Sequence, residues 1–245
     1  MTVLITGAGS GIGAAIARRL AHRERIIVTD INQDAAEEVA RGITSVGHNA
    51  RARRLDVTDE SAIGDLFREV NEDGVIDGLV CNAGMIVRGG IEEISTADWR
   101  RMMNVNVRSA FLCVRAALPG MIAAGRGRVL LMSSDFAVMG MAAAPAYAAA
   151  KTAVYSLTKS LALECAPYDV RVNALGPGPI DTPLLRSGRT GESWTQAEKV
   201  LRAGVPMNRL GMPEEVASVA AYLMSDAATY ITGQIVHPNG GQLMW

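Results

Sequence analysis

Seven short apolar segments alternate with helix-like stretches along the whole chain, and this alternation limits the fold more than any other feature. Each segment is mostly apolar, as expected of a strand that is covered on both faces. Parallel strands need crossover connections, which helices supply. The pattern therefore predicts an α/β fold, a doubly wound sheet of about seven parallel strands with helices on both faces. The predicted strands are residues 3–6, 25–29, 50–55, 76–81, 127–132, 170–174 and 234–236.

Nothing in the sequence divides the 245 residues into smaller units. There is no low-complexity linker, charge block or internal repeat, so we expect a single domain over residues 1–245. Residues 177–206 are rich in proline and glycine and predict a loop or short helical insertion. A long insertion in a compact domain is often functional. We therefore expect a substrate lid at about residues 181–206.

Charge and composition limit the partners of the chain. Lys and Arg total 24 against 25 Asp and Glu, so no excess of positive charge is available for nucleic acid or an anionic membrane. The sequence contains no uninterrupted apolar run of about 18 residues, so we expect no membrane span. Three separated cysteines and three scattered histidines predict buried thiols and no metal site. The N-terminus has no secretory leader, so we expect a cytoplasmic protein.

A glycine-rich turn follows the first predicted strand and leads into a helix expected to begin near Ala14. Glycines let backbone N–H groups approach a pyrophosphate, and the N-terminus of a helix favours negative charge. A tight connection between strand and helix is the alternative interpretation. The candidate cofactor-binding residues of the turn are Gly7, Ser10, Gly11, Ile12 and Gly13.

An acidic residue ends the second predicted strand. Asp30 lies seventeen positions after Gly13, about where a carboxylate binds the adenosine ribose of a dinucleotide. Its charge repels a 2′-phosphate, and no Arg or Lys lies in the turn or directly after Asp30, so NAD is favoured over NADP. Asp30 could instead cap the next helix. Asp56, followed by Val57, could contact the adenine or could belong to a turn.

A tyrosine, a lysine and a serine form the candidate catalytic set. Tyr147 and Lys151 are four residues apart and so share one face of a helix. A neighbouring cation lowers the pKa of a phenol from about 10 and makes it a better acid-base group. An exposed helical pair is the alternative. Ser134 ends the fifth predicted strand, where parallel sheets bind ligands, or it simply terminates that strand.

Six motifs in this order give the whole chain a resemblance to the short-chain dehydrogenase/reductase family, which implies a Rossmann-type fold. They are the glycine turn from Thr6 to Gly13, Asn82-Ala83-Gly84, Asn106, Ser134, Tyr147-x-x-x-Lys151 and Pro177-Gly178. The chain departs from the family pattern at Cys81, at Ala137 and from His237 to Gly241.

The resemblance implies a role for each matching residue. Tyr147 would be the general acid-base, and Ser134 would hydrogen-bond the substrate oxygen. Lys151 would lower the pKa of Tyr147 and hold the nicotinamide ribose, and Asn106 would anchor a water for proton relay. The implied cofactor contacts also include Asn82, Ala83, Gly84, Pro177, Gly178, Ile180 and Thr182. The helices at about 102–124 and 146–165 match the helices through which members of this family contact each other, so the resemblance also implies a homotetramer.

The expected function is hydride transfer between NAD(H) and a secondary alcohol or ketone. A reductase of 3-oxoacyl thioesters and a non-catalytic nucleotide-binding regulator are the alternatives. Asp135, Arg186 and Arg189 are candidates for substrate recognition, although each could simply face water. The expected pocket wall, which could equally be core or subunit interface, consists of Met85, Ile86, Val87, Phe136, Met139, Met141, Leu184 and Leu185.

Overall fold

A computed structural model describes residues 1–244 and contains the seven predicted strands in one parallel sheet. The strand order is β3-β2-β1-β4-β5-β6-β7. Successive strands are added on one side of β1 as far as β3 and on its other side from β4 onward, so the strand order reverses between β1 and β4. In such sheets, ligands bind where the order reverses, at the carboxyl ends of the strands. The strands are β1 Thr2–Thr6, β2 Arg25–Asp30, β3 Ala50–Arg54, β4 Ile76–Cys81, β5 Gly127–Met132, β6 Val170–Leu175 and β7 Ile235–Val236.

All seven predicted strands are confirmed, and only their ends differ. β3 ends at Arg54 rather than at residue 55, although Leu55 still donates a backbone hydrogen bond to Asp30 over 2.8 Å. β7 has only two residues. Every residue of β4 is buried, which fits a central strand covered by helices on both faces.

Helices cover the sheet in two layers. α1, α2 and α10 pack on one face, and α3, α5 and α7 pack on the other. The three cysteines are buried free thiols, as predicted. The helices are α1 Gly11–Leu20, α2 Gln33–Thr44, α3 Glu60–Glu72, α4 Thr96–Met103, α5 Ser109–Ala124, α6 Phe136–Met139, α7 Pro145–Cys165, α8 Pro183–Arg186, α9 Gly191–Ala203 and α10 Pro213–Leu223.

The irregular region that the sequence predicts as a loop or short helical insertion contains two helices. α8 is a single turn and α9 has thirteen residues, so this segment is more helical than expected. Thr182 caps α8 by accepting a hydrogen bond from the backbone of Leu185. Its methyl group would lie 3.3 Å from a Cβ added at Gly11, so the start of α8 lies over the glycine turn.

One helical run is long and apolar enough to cross a membrane by length and composition. It spans Thr96–Ala124, and 39% of its most apolar window is buried. The run consists of α4, a π-helical turn at Asn104–Arg108 and α5, whose buried side chains pack under the sheet. A core helix passes the same test, so the expectation that the chain has no membrane span stays a prediction.

Candidate active site

The glycine turn is pressed against the loop that follows β4. Gly7 has a φ of +61°, and a Cβ there would lie 2.8 Å from the Cα of Ala83. A Cβ on Gly13 would lie 2.4 Å from the carbonyl oxygen of Gly7, so only glycine fits at both positions. α1 begins at Gly11, earlier than the predicted Ala14, and its first turn holds no acidic side chain. The start of α1 therefore offers backbone N–H groups to an anion.

Asn82 holds this turn in place. Its side-chain Nδ2 donates to the carbonyl oxygens of Thr6 and Gly7 over 3.1 and 2.8 Å. The Thr6 hydroxyl oxygen in turn accepts from the backbone N–H groups of Asn82 and Ala83, both over 3.1 Å. The Asn82-Ala83-Gly84 motif thus links β4 to the glycine turn besides lining the cleft.

Asp30 lies at the end of β2 with both carboxylate oxygens bound to backbone. Oδ2 accepts from Gly9 over 3.0 Å, and Oδ1 accepts from Asn32 over 3.0 Å. The alternative that Asp30 caps the next helix is wrong, because Asn32 caps α2. Arg54 lies opposite Asp30 in the pairing of β2 with β3 and is exposed. Sequence reasoning missed this arginine, since only strand register makes the two residues neighbours.

Asp56 has the predicted turn geometry and also faces the cleft. Its Oδ1 accepts from the backbone N–H and the hydroxyl of Thr58 over 2.9 and 2.7 Å. These hydrogen bonds lower the pKa of Asp56 below its ordinary value. Asp56 and Val57 line a cavity of about 430 Å³ together with Asp30 and the glycine turn.

The second cavity, of about 140 Å³, contains the candidate catalytic side chains. Tyr147 and Lys151 reach it from α7, and Ser134 reaches it from the end of β5. Lys151 Nζ donates to the carbonyl oxygen of Met132 over 2.8 Å and lies 5.6 Å from the centroid of the Tyr147 ring. The Ser133 hydroxyl donates to the backbone carbonyl of Lys151 over 3.0 Å, which ties β5 to α7.

Burial has the largest effect on the pKa values of Tyr147 and Lys151. Burial raises the pKa of Tyr147 to about 12, and a hydrogen bond with Ser134 and the charge of Arg88 only partly oppose it. Burial lowers the pKa of Lys151 to about 8. The surroundings of Tyr147 within the protein therefore raise its pKa, and the lowering by Lys151 stays a prediction. Removing the phenolate from water destabilises it by more than Ser134 and Arg88 stabilise it.

Asn106 lies in the π-helical turn behind the catalytic set. Its Nδ2 donates to the carbonyl oxygens of Met85 and Met102 over 2.9 and 3.0 Å, and its Oδ1 accepts from the Met85 backbone over 3.2 Å. A Cβ added at Gly84 would lie 2.9 Å from Asn106 Oδ1 and 3.5 Å from Lys151 Nζ. Gly84 therefore leaves a narrow space between the Asn106 amide and the Lys151 ammonium.

The two cavities adjoin one another and form one cleft across the carboxyl ends of the strands. Of the predicted catalytic and cofactor-binding residues, only Gly13 and Asn106 line neither cavity. Glycine backbone at a helix start and carboxylates at the end of β2 and after β3 form a donor and acceptor set that fits an NAD(P) dinucleotide. The residues shared by both cavities are Ile12, Asn82, Gly84, Thr182 and Leu184.

The predicted pocket wall is correct in part. Ile86, Phe136, Met141, Leu184 and Leu185 line the smaller cavity. The prediction is wrong for three residues. The Met85 sulfur accepts from Arg101, Val87 donates its backbone N–H to the Met102 sulfur, and Met139 is half exposed away from the cavity. Met132 and Leu201 line the cavity but carry no motif that would have indicated them.

Asp135 neither faces water nor meets the cavity. It is fully buried, and its Oδ1 lies 2.7 Å from Nδ1 of His237 and 3.4 Å from Nδ2 of Asn239. Burial raises the pKa of the Asp135 carboxyl, and the two partners oppose that shift. The departure from the family pattern at His237 therefore provides a partner for the residue that follows Ser134.

The three arginines near the cavity differ in their partners. Arg186 donates to Asp181 over 2.9 and 2.8 Å and stacks 4.5 Å from the centroid of the Trp194 ring. It does not line the cavity. Arg189 does line it. Arg88 lines it too and was missed, although it is the first cation after the apolar run that follows Gly84. Within residues 1–244, no group of three or more His, Cys, Asp or Glu side chains could hold a metal.

Residues 7–242 match the family model described as enoyl-(acyl carrier protein) reductase. The chain belongs to the short-chain dehydrogenase/reductase family. It is 40% identical to the cis-4-hydroxycyclohexanecarboxylate dehydrogenase of Sinomonas cyclohexanicum, with 97% of this chain and 94% of the relative covered. It is 37% identical to the cyclohexanol dehydrogenase of an Acinetobacter species, with 94% and 90% covered.

Two further comparisons extend this family assignment. The 3-oxoacyl-[acyl-carrier-protein] reductase of Vibrio cholerae is 35% identical, with 98% of this chain and 96% of the relative covered. A crystal structure of a candidate NAD(P)-dependent gluconate 5-dehydrogenase from Beutenbergia cavernae, with NADP bound at low occupancy, has a TM-score of 0.92. It is 36% identical, with 98% and 96% of the two chains covered. The chain is therefore an oxidoreductase with the Rossmann-type fold.

Proposed function

We propose that this chain is an NAD-dependent dehydrogenase that interconverts a cyclic secondary alcohol and its ketone. The observation that carries the proposal is that Ser134, Tyr147 and Lys151 line one cavity that adjoins the cleft of the glycine turn. Relatives named for cyclohexanol and for a hydroxycyclohexanecarboxylate support a ring alcohol. The intact set of proton-transfer residues argues against a non-catalytic regulator.

The residues divide the reaction between them. Tyr147 takes the hydroxyl proton during oxidation and returns it during reduction, and Ser134 donates a hydrogen bond to the same oxygen. The Lys151 ammonium, close to the Tyr147 ring, favours the phenolate electrostatically once substrate and cofactor are in place. A bound nicotinamide supplies or accepts the hydride. Asn106 holds the loop that carries Gly84 beside Lys151, where it can anchor a relay water.

The chain's own groups would hold the cofactor at both ends of the cleft. The glycine turn and the start of α1 would bind the diphosphate, and Asp30 would bind the adenosine ribose. Asp30 and Asp56 are the charged residues of that cavity within residues 1–244, which supports NAD over NADP. Ile180, just before the lid, and Thr182, at its start, would meet the nicotinamide.

Three further proposals concern the whole molecule. Residues 181–206 act as a substrate lid, which is supported by Leu184, Leu185 and Leu201 lining the cavity. The chain is a homotetramer, which is supported by exposed apolar side chains on α4, α5 and α7, among them Trp99, Phe111 and Leu163. The third proposal is a cytoplasmic location. Light scattering after size-exclusion chromatography measures the assembly.

A spectrophotometric screen tests the function directly. Purified protein is given NAD and NADP in parallel with cyclic, aromatic and aliphatic secondary alcohols and with 3-hydroxyacyl thioesters, and the ketones are run with reduced cofactor. We expect turnover of ring alcohols with NAD. Turnover confined to thioesters would favour the reductase function named for the Vibrio relative, and no turnover despite cofactor binding would overturn the proposal.

A further inference from the structure

All the charged side chains that line the catalytic cavity are cations. They are Arg88, Lys151 and Arg189, and no Asp or Glu of residues 1–244 lines it. Lys151 donates to a backbone carbonyl and lies beside Tyr147, as the proposed proton transfer requires. The two arginines have no part in that chemistry, so their presence in an otherwise apolar cavity needs another explanation.

Arg88 is held at the cavity with part of its hydrogen-bonding capacity unused. Its Nη1 and Nη2 donate to the backbone carbonyls of Ser187 and Leu185 in the lid over 2.7 and 3.1 Å. Its Nε is buried and has no partner in the described chain. A guanidinium has five N–H donors, and carbonyl oxygens leave its charge unneutralised. Placing an unpaired charge in a partly buried site is costly unless a ligand completes it.

Arg189 brings a second unpaired guanidinium to the same cavity. It is half buried, and no carboxylate within residues 1–244 lies in ion-pair distance of it. Burial of Arg88 and, to a smaller extent, the charge of Arg189 lower the pKa of Arg88. Two like charges facing one cavity repel each other, and an anion between them would relieve that repulsion.

We propose that the substrate carries a carboxylate, which Arg88 and Arg189 bind while the substrate hydroxyl meets Ser134 and Tyr147. This inference rests on the proposed function, because it assigns the substrate class of that same site. A planar carboxylate accepts paired hydrogen bonds from the forked donors of a guanidinium. The phosphates of a dinucleotide do not account for the two arginines, because Gly7 and Ser10 of the glycine turn line the other cavity and not this one.

Substrates that differ in one group give the first test. Turnover is measured on 4-hydroxycyclohexane carboxylate, on its carboxamide and on cyclohexanol. We expect wild-type kcat/KM to be about tenfold or more higher for the carboxylate than for the carboxamide, since hydrogen bonds to charged groups are the stronger ones. Arg189→Gln is expected to lower kcat/KM for the carboxylate until that preference is lost.

Arg186→Gln is the matched control. Arg186 lies in the same lid, but its charge is paired with Asp181 and it does not line the cavity. This variant should keep the preference for the carboxylate. Arg88→Gln should lower the preference for the carboxylate as Arg189→Gln does. It should also lower the turnover of neutral alcohols, because Arg88 holds the lid through Leu185 and Ser187.

A binding measurement separates this inference from the proposed function. Calorimetric titration with cyclohexanecarboxylate, which has no hydroxyl to oxidise, is carried out with NAD present and again with NADP. Binding that is stronger than for the carboxamide, and is lost in Arg189→Gln, supports the inference even if no alcohol is turned over. Turnover of cyclohexanol with no preference for carboxylates, and no effect of Arg189→Gln, would overturn the inference and leave the proposed function intact.

Discussion

The two ends of the cleft carry opposite charge. Around the glycine turn, the charged lining residues are Asp30 and Asp56, whereas around Tyr147 they are Arg88, Lys151 and Arg189. The two carboxylates already accept hydrogen bonds from backbone and hydroxyl donors, and Arg88 keeps an unused, buried Nε. The carboxylates oppose a 2′-phosphate by their charge, whereas a guanidinium with an unused donor attracts an anion that can accept from it.

The largest expected effect comes from removing the acid-base group at the cationic end. Tyr147→Phe keeps the ring and removes the hydroxyl, so kcat should fall about 10³-fold. The affinity for NAD, measured by calorimetry, should stay nearly unchanged. Tyr155→Phe on the same helix is the control, because Tyr155 does not line the cavity. Turnover preserved in Tyr147→Phe would remove Tyr147 from the mechanism.

The second prediction concerns pH at the same end. The pKa of Tyr147 is raised to about 12 and oxidation needs its phenolate, so kcat/KM for alcohol oxidation should rise with pH from neutral into the alkaline range. Lys151→Met removes the nearby positive charge. We expect this variant to be about 10²-fold slower near pH 7, where Lys151 is charged, and the difference from wild type to shrink as the pH rises above the Lys151 pKa of about 8.

Lys159→Met controls for the loss of a lysine from α7. Lys159 stacks on Tyr155, 4.6 Å from the ring centroid, and is exposed outside the cleft. Its substitution should leave the pH profile in place. A profile that is identical in wild type and Lys151→Met would mean that the Lys151 charge does not act on Tyr147.

Local spacing explains how much of the site could be predicted from the sequence. The glycine turn and the Tyr147–Lys151 pair lie within single strand-to-helix or helical segments, so residue spacing alone brings their groups together. The seven strands could be predicted because the apolar pattern of each strand also lies within one short segment. The strand order was not part of that prediction, because it depends on how distant segments pair.

Contacts between distant segments account for what was missed. Arg88 meets the lid across 97 to 99 residues, and Asp135 meets His237 across 102 residues. The direction of the Tyr147 pKa depends on burial, which the Tyr147-x-x-x-Lys151 motif does not report. Sequence spacing identifies which groups are available, and tertiary packing decides their partners and their charge state.

The smallest expected effect lies at the anionic end. Asp30→Asn removes the charge that opposes a 2′-phosphate and keeps an oxygen that can accept from Gly9. The ratio of kcat/KM for NAD to that for NADP should fall about tenfold, or about 1.4 kcal/mol. Arg54, exposed opposite Asp30, is the group that would then meet the phosphate. Asp30→Asn combined with Arg54→Gln should therefore recover part of the NAD preference by weakening NADP, and an unchanged ratio in Asp30→Asn would mean that charge at this end does not select the cofactor.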